Sequence, residues 1–247
     1  MKTSVLSLAL VTAAAVWPTA SFADLSFNVG AVTDYRYRGI SQSRVKPALQ
    51  GGADFSAGGF YLGAWGSTIK WIEDGNPKSS NKVEIDVYAG YKGDIVKDSL
   101  TYDVGVLTYQ YPGHKAGDAG LTNPTTTELY GALTFGPATL KYSHSVTNLF
   151  GFADSKNSSY VDLSASFDVG GGVMLAPHVG YQKVSHNSDW SYTDVSLAVS
   201  KDFNGLVPSL TLYATDTKKP GGNYAYVSPA GKNLGRTGVV LGVKYTF

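Results

Sequence analysis

Charged side chains recur at every second position in two stretches of this chain: Asp34, Arg36 and Arg38, then Glu84 and Asp86, continued by Tyr88. In an extended strand that spacing puts all of them on one face. The alternate positions are apolar, as in Val83, Ile85, Val87 and Ala89. Acids, guanidinium groups and phenols on one face cannot by themselves make or break bonds. They can attract, sort and position ions and small polar solutes, as rings of side chains do in pores. By the same parity Gln50, Asp54, Trp65, Asp103, Tyr109 and Glu128 fall on that side. The candidate lining set is therefore Asp34, Arg36, Arg38, Gln50, Asp54, Trp65, Glu84, Asp86, Tyr88, Asp103, Tyr109 and Glu128, with Arg38 at the start of a loop.

Covalent chemistry finds less support. Ser143-His144-Ser145 places a base between two hydroxyls, but neighbours in a strand point to opposite faces, so neither serine meets His144 locally. Only a serine on an adjacent strand would complete such a pair, and no third residue orients the imidazole. The reading is an interfacial histidine and no enzyme. His114, His144, His178 and His186 lack close metal-ligand spacing, with His178 and His186 eight apart. Glu73-Asp74-Gly75-Asn76 offers oxygens without the spacing of a calcium loop. No cofactor and no metal are expected.

The elements that must hold these residues are strands. Leu25, Phe27, Val29, Ala31, Thr33, Tyr35 and Tyr37 alternate with Ser26, Asn28, Gly30, Asp34 and Arg36. Val161, Leu163, Ala165, Phe167 and Val169 oppose Asp162, Ser164, Ser166 and Asp168, and Val195, Leu197 and Val199 oppose Asp194, Ser196 and Ser200. A helical period fits none of these windows as well. The pattern predicts twelve strands near 25–37, 48–57, 60–70, 82–92, 99–110, 126–135, 138–148, 159–169, 172–184, 191–203, 209–216 and 237–247. Their length of about ten residues suits tilted membrane strands. The connections between them alternate short and long, which is the pattern of a transmembrane antiparallel β-barrel with short periplasmic turns and longer extracellular loops.

Single residues add weight. Of the prolines, only Pro177 falls inside a predicted strand. Most strand glycines fall on the inward face, which suits a narrow, strongly curved wall. Phe55, Phe60, Tyr91, Phe135, Phe167, Phe203 and Phe247 face outward near the short-turn ends, as one aromatic girdle would. No run of eighteen apolar residues follows residue 23, so no membrane helix is expected. With no cysteine among 247 residues, neither disulfides nor thiolate chemistry operate.

Both ends speak to location. Lys2, the apolar stretch Val5–Trp17 and the small residues of Ser21-Phe22-Ala23 read as a signal peptide, residues 1–23, cleaved before Asp24. Residues 24–247 would then form the barrel. The precursor carries a formal charge of +1, and losing Lys2 leaves zero, so nothing argues for nucleic acid. The final strand alternates Val239, Leu241, Val243, Tyr245 and Phe247 with polar or small residues. An alternating terminal strand ending in an aromatic resembles the signal read by the outer-membrane assembly machinery, with Tyr245 and Phe247 as its residues.

Asp34-Tyr35-Arg36-Tyr37-Arg38-Gly39-Ile40-Ser41-Gln42-Ser43, followed by Pro47-Ala48-Leu49-Gln50-Gly51-Gly52, closely resembles the opening of the TorF family of porins, also labelled Gcw_chp. The resemblance continues through Gly59–Ser67, Glu84–Tyr91, Tyr102-Asp103-Val104-Gly105, Tyr109-Gln110-Tyr111-Pro112-Gly113 and Glu128-Leu129-Tyr130. It covers the first half well, and the second half in architecture and in its final phenylalanine. What it implies is an outer-membrane barrel called a porin largely by inference, with no assigned substrate.

Together these features predict an outer-membrane channel for passive diffusion of small solutes or ions, in a Gram-negative bacterium, contacting outer-membrane lipid and acting as a monomer. With Asp34, Asp54, Glu84, Asp86, Asp103, Glu128, Asp162, Asp168, Asp194 and Asp202 against Arg36, Arg38, Lys92, Lys141 and Lys244, a net-acidic interior would favour small cations. The competing expectation is a non-conducting barrel with a packed lumen, structural or binding through its loops. Twelve strands lie between filled eight-stranded barrels and water-filled sixteen-stranded ones.

Overall fold

A computed structural model describes residues 23–75, 80–113 and 122–247. Residues 1–22 of the expected signal segment (residues 1–23) and His114 lie outside the described residues.

The chain forms one antiparallel sheet that closes on itself. Its wall runs β1 (Asp24–Val32), β4 (Ala48–Ala57), β5 (Phe60–Thr68), β6 (Val83–Val96), β7 (Leu100–Gln110), β8 (Thr126–Phe135), β9 (Ala138–Ser145), β10 (Ser159–Ala165), β12 (Val173–Lys183), β13 (Tyr192–Lys201), β14 (Leu206–Thr215) and β15 (Gly238–Thr246). The two-residue β11 (Phe167–Asp168) continues β10 past Ser166 and pairs with the same neighbour. Each strand pairs with the next in sequence, and β15 returns to β1 with Val29 opposite Tyr245. Closure leaves no free edge strand, so the backbone groups of the wall pair mostly within the sheet. Two strands lie off the wall: β2 (Arg36–Tyr37) and β3 (Ile40–Ser41) form a separate hairpin.

The twelve predicted strands all exist, four of them differing in extent by three residues or more, among them β9, which stops at Ser145 and not at 148. The first stops at Val32 and not at 37. Thr33 to Lys46 turn inward, because Asp34 accepts hydrogen bonds from Ser41 Oγ (2.5 Å) and Ser43 Oγ (3.1 Å) and so folds the segment back on itself. The wall alternation of polar and apolar residues continues unbroken into this hairpin, so the period alone could not separate the two. β14 starts at Leu206, which brings Pro208 into the wall beside Pro177 of β12 as a second strand proline. β6 runs on to Val96 through an irregularity between Asp94 and Val96.

Outside, the wall is mostly apolar, with Leu25, Val29, Leu62, Val106, Leu163, Leu197 and Leu241 exposed. At roughly 25 cal/mol per Å² such surface is stable only against lipid. The girdle phenylalanines Phe55, Phe60, Phe135, Phe167, Phe203 and Phe247 are exposed near the short turns, and Phe60 meets Tyr91 edge-on at 4.7 Å. Among the described residues no helix is long and apolar enough to cross a membrane.

Inside, tyrosines lie flat on glycines. Gly63 faces Tyr88 and Gly90 faces Tyr61 across β5 and β6, and Gly105 faces Tyr130 across β7 and β8. A Cβ at any of the three would collide with the phenol opposite. The missing side chain lets a large ring lie against the wall, where it takes little of the lumen's width.

Candidate functional site in the barrel lumen

The long-loop half of the lumen is occupied by the first loop. Its β2–β3 hairpin turns at Arg38 and Gly39, both at positive φ (46° and 77°), the geometry of a two-residue type I′ turn. An arginine in the left-handed region costs about 1 kcal/mol, so its contacts must more than offset that. Nη1 and Nη2 of Arg38 donate to the two carboxylate oxygens of Glu128 on β8 at 3.0 and 2.7 Å, and Nη1 also donates to Gln182 Oε1 on β12 at 2.7 Å. The guanidinium lies 4.2 Å from the Tyr160 ring centre and 4.8 Å from that of Tyr37. A bidentate carboxylate contact with two aromatic faces suits arginine and not lysine.

Arg36 anchors the other arm. Its Nε donates to Asp34 at 2.8 Å and its Nη1 to the carbonyls of Gly39 and Arg236, at 3.1 and 2.7 Å. Tyr35 donates to Glu84 on β6 at 2.6 Å and packs edge-on against Trp65, and Tyr37 bonds the hydroxyl of Tyr109. Gly39 lies so close to Asp194 on β13 and Thr215 on β14 that a Cβ would clash with both. The hairpin therefore reaches from the β5–β8 side of the wall to the β12–β14 side.

Other loops seal it from above. The short helix α1 (Trp71–Gly75) follows backbone bonds from Lys70 and Trp71 to the Gln42 carbonyl, at 2.8 and 3.2 Å. Just before that helix, Lys70 holds Glu73 below its usual carboxylate range by a hydrogen bond at 2.9 Å. Phe150, between β9 and β10, packs on Tyr37, Trp71 and Tyr109. From the last loop Leu234 accepts from Ser41 N at 3.0 Å and packs with Ile40 and Tyr192, beside Tyr226, whose phenol burial pushes well up. Val32, Tyr35, Ile69, Ile72, Leu107, Tyr109 and Tyr111 complete an aromatic-aliphatic core inside the barrel.

The short-turn half is different. There Tyr88 donates to Asp54, Tyr61 donates to Asp103 at 2.5 Å, and Lys92 stands 3.9 Å from Asp103. Lys141 lies 4.0 Å from the Tyr130 ring centre. Opposite are small residues, Ala176, Ser196, Ala198 and Ser200 of β12 and β13. Among the described residues no long loop bonds to the side chains of this half.

The predicted lining residues thus separate. Asp34, Arg36 and Arg38 leave the wall and belong to the inner hairpin, a correction to the expectation that Asp34 and Arg36 project from the first strand. Trp65, Glu84, Tyr109 and Glu128 are wall residues gathered around that hairpin. Asp54, Tyr88 and Asp103 line the short-turn half, and Gln50 stays beside Ser67 at 3.5 Å. Asp86 is fully buried, and neither of its carboxylate oxygens has a hydrogen-bond partner. Tyr245 and Phe247 stack at 5.8 Å on the outer face, and Phe247 also stacks on Phe27 at 6.0 Å.

Sequence reasoning missed Tyr37, Tyr160 and Gln182, which hold Arg38. Tyr160 and Gln182 share inward parity with Asp162 and Gly180, and that signal could have found them. His178 is inward, with Nε2 2.5 Å from Asp162, Nδ1 3.6 Å from Asp194 and Tyr160 Oη 3.1 Å away. His144 meets Tyr142 Oη and Asn157 Oδ1, each at 3.2 Å, and no serine. Among the described residues no three acids, histidines or cysteines converge on a metal position.

Solved structures share this fold. The KdgM porin, in complex with disordered oligogalacturonate, aligns at a TM-score of 0.55 over 92% of this chain and 99% of that one, with 9% identity. The NanC porin aligns at 0.52 over 91% and 99%, with 12% identity. No curated protein matches in sequence. The family described as "Bacterial protein of unknown function (Gcw_chp)" matches residues 17–247, and with that span nearly the whole chain is accounted for: the protein belongs to the Gcw_chp family.

Proposed function

We propose that this protein is an outer-membrane channel of the porin type, in which the first loop sets a constriction and the short-turn half forms a vestibule. One observation carries the reading: the obstruction in the lumen belongs to a loop, held by polar contacts of Arg38, Arg36 and Tyr35, while the short-turn half of the wall leaves an interior lined with polar and small residues. The apolar exterior, the girdle and the fold shared with KdgM and NanC support a membrane location. In this reading residues 1–23 direct export, Tyr245 and Phe247 present the strand to the assembly machinery, the long loops face outward and the chain works as a monomer. Passage is passive and involves no catalytic step.

Small ions and solutes enter through the long loops, pass the Arg38–Glu128 layer and leave through the vestibule. Asp54 and Asp103 there, and Asp86 above them, favour cations over anions. A second reading has one specific observation in its favour: Phe150, α1 and Tyr35 belong to one buried apolar cluster of the long-loop half, and Leu234 and Ile40 to another. In that case the barrel is closed and acts through its loops.

Planar-bilayer recording of refolded protein separates the two. The wild type should give small steps, and Arg38→Ala or replacement of residues 36–41 by a glycine-serine linker should enlarge them severalfold. Silence from all three, with each barrel shown to be folded by its heat-modifiable gel migration, would leave the closed reading.

A further inference from the structure

On the outer surface of the long-loop half, two tyrosines and a lysine of the wall strands lie together. His144, Ser159 and Lys183 face one another across β9, β10 and β12, and form one row near the long-loop rim. Directly below, Tyr142, Val161 and Tyr181 form the next row, and Leu140, Leu163 and Val179 the one after. Lys183 is the only charged side chain among outward-facing strand residues of that half, and Tyr142 and Tyr181 are its only outward tyrosines. Elsewhere around the barrel the same height carries residues such as Thr68, Thr127 and Val239.

We propose that this face of β9, β10 and β12 is a binding site for a phosphate-bearing lipid of the outer leaflet. This rests on the reading that the strands cross a membrane with the long loops outward. Adjacent strands stand about 4.8 Å apart, so the top row is about 10 Å wide, the width of a lipid headgroup. Lys183 is exposed and forms no ion pair with the described residues. Its ammonium supplies the charge that a phosphate needs, and the Ser159 hydroxyl a second donor. Asn157 keeps its amide NH2 as a third, because its Oδ1 is committed to His144 at 3.2 Å. His144 stacks on Tyr142 and holds it in place. The two tyrosines sit where headgroup meets hydrocarbon, and the leucine row takes the acyl chains.

The test uses the full mature chain in detergent and native mass spectrometry, with diphosphorylated lipid A as probe, its dephosphorylated form as control, and inorganic phosphate as competitor. The phosphorylated lipid should be retained in preference, unaffected by inorganic phosphate. Lys183→Gln should weaken retention about fivefold, the effect of one lysine near a charged membrane surface. Lys201→Gln, at the other end of the barrel, should change nothing, and Ser159→Ala should give a smaller loss if Lys183→Gln misfolds. Equal retention of both lipids, an unchanged Lys183→Gln, displacement by inorganic phosphate, or a protein dimer formed through this face would each overturn the proposal. Failure to insert into vesicles would instead count against the membrane reading itself.

Discussion

Tyr160 lies across Gly180, so close that a Cβ on the glycine would strike the phenol. From there its hydroxyl donates to Asp194 at 2.9 Å, and its ring carries the Arg38 guanidinium at 4.2 Å. A glycine on β12 thus sets the height of the surface on which the first loop rests. Gly180→Ala should lift Tyr160, at a cost of about 1–3 kcal/mol typical of overpacking. The gel-shift midpoint on heating should fall, and conductance should rise as Arg38 loses its platform. A variant with wild-type values in both would show that the glycine is incidental.

Arg38 and Glu128 are both nearly inaccessible, with side-chain exposures of 7% and 1%. Removing one partner of such a pair strands the other charge, at about 3–5 kcal/mol. Arg38→Ala should therefore release the hairpin, detectable as new protease cleavage between residues 33 and 47 of a still-folded barrel. Arg38→Lys keeps charge but loses the bidentate contact and both ring faces, so its loop should be cleaved at an intermediate rate.

Asp86 is enclosed without a partner for either oxygen. A buried acid in that state opposes folding, so Asp86→Asn should raise the urea midpoint, by an amount corresponding to about 1–3 kcal/mol. If Asp86 serves conduction, the same change should lower cation preference. Stabilisation with unchanged selectivity would assign it no part in the pore.

Asp54 and Asp103 are acids of the short-turn half, each accepting from a tyrosine hydroxyl. The reversal potential under a salt gradient should show cation preference in the wild type. The double change Asp54→Asn and Asp103→Asn should move it toward zero. A wild-type reversal potential of anion sign would refute the acidic-vestibule account outright.

Phe247 does more than end the chain. Its amide donates to the Phe27 carbonyl at 3.0 Å and its carbonyl accepts from Phe27 N at 2.9 Å, which extends the β1–β15 seam. Deleting it should slow refolding in detergent, where no assembly machinery is present, and reduce insertion in cells more strongly. An effect in cells alone would assign the residue purely to recognition.

The wall was legible because its evidence is local. Period-two alternation in segments such as Val83–Tyr91 needs only neighbouring residues, and a membrane imposes the apolar face along the whole strand. The alternation of short and long connections was visible for the same reason, since turns such as Gly58-Gly59 announce themselves by composition. Even the inward parity of Asp54, Glu84, Asp86, Asp103 and Glu128 followed from counting.

What occupies the lumen could not be counted. Asp34, Arg36 and Arg38 keep the same alternation whether they extend β1 or turn inside, because a wall strand and an inner hairpin both present alternate residues to the same interior. The choice is made by partners far away in sequence: Glu128 and Gln182 for Arg38, the Arg236 carbonyl for Arg36, Asp194 and Thr215 around Gly39. The sequence by itself determined a closed transmembrane barrel with a polar interior, since burial in lipid is enforced residue by residue. Only the tertiary structure decided that its long-loop half is filled, since that depends on long-range contacts that exist only once the barrel has closed.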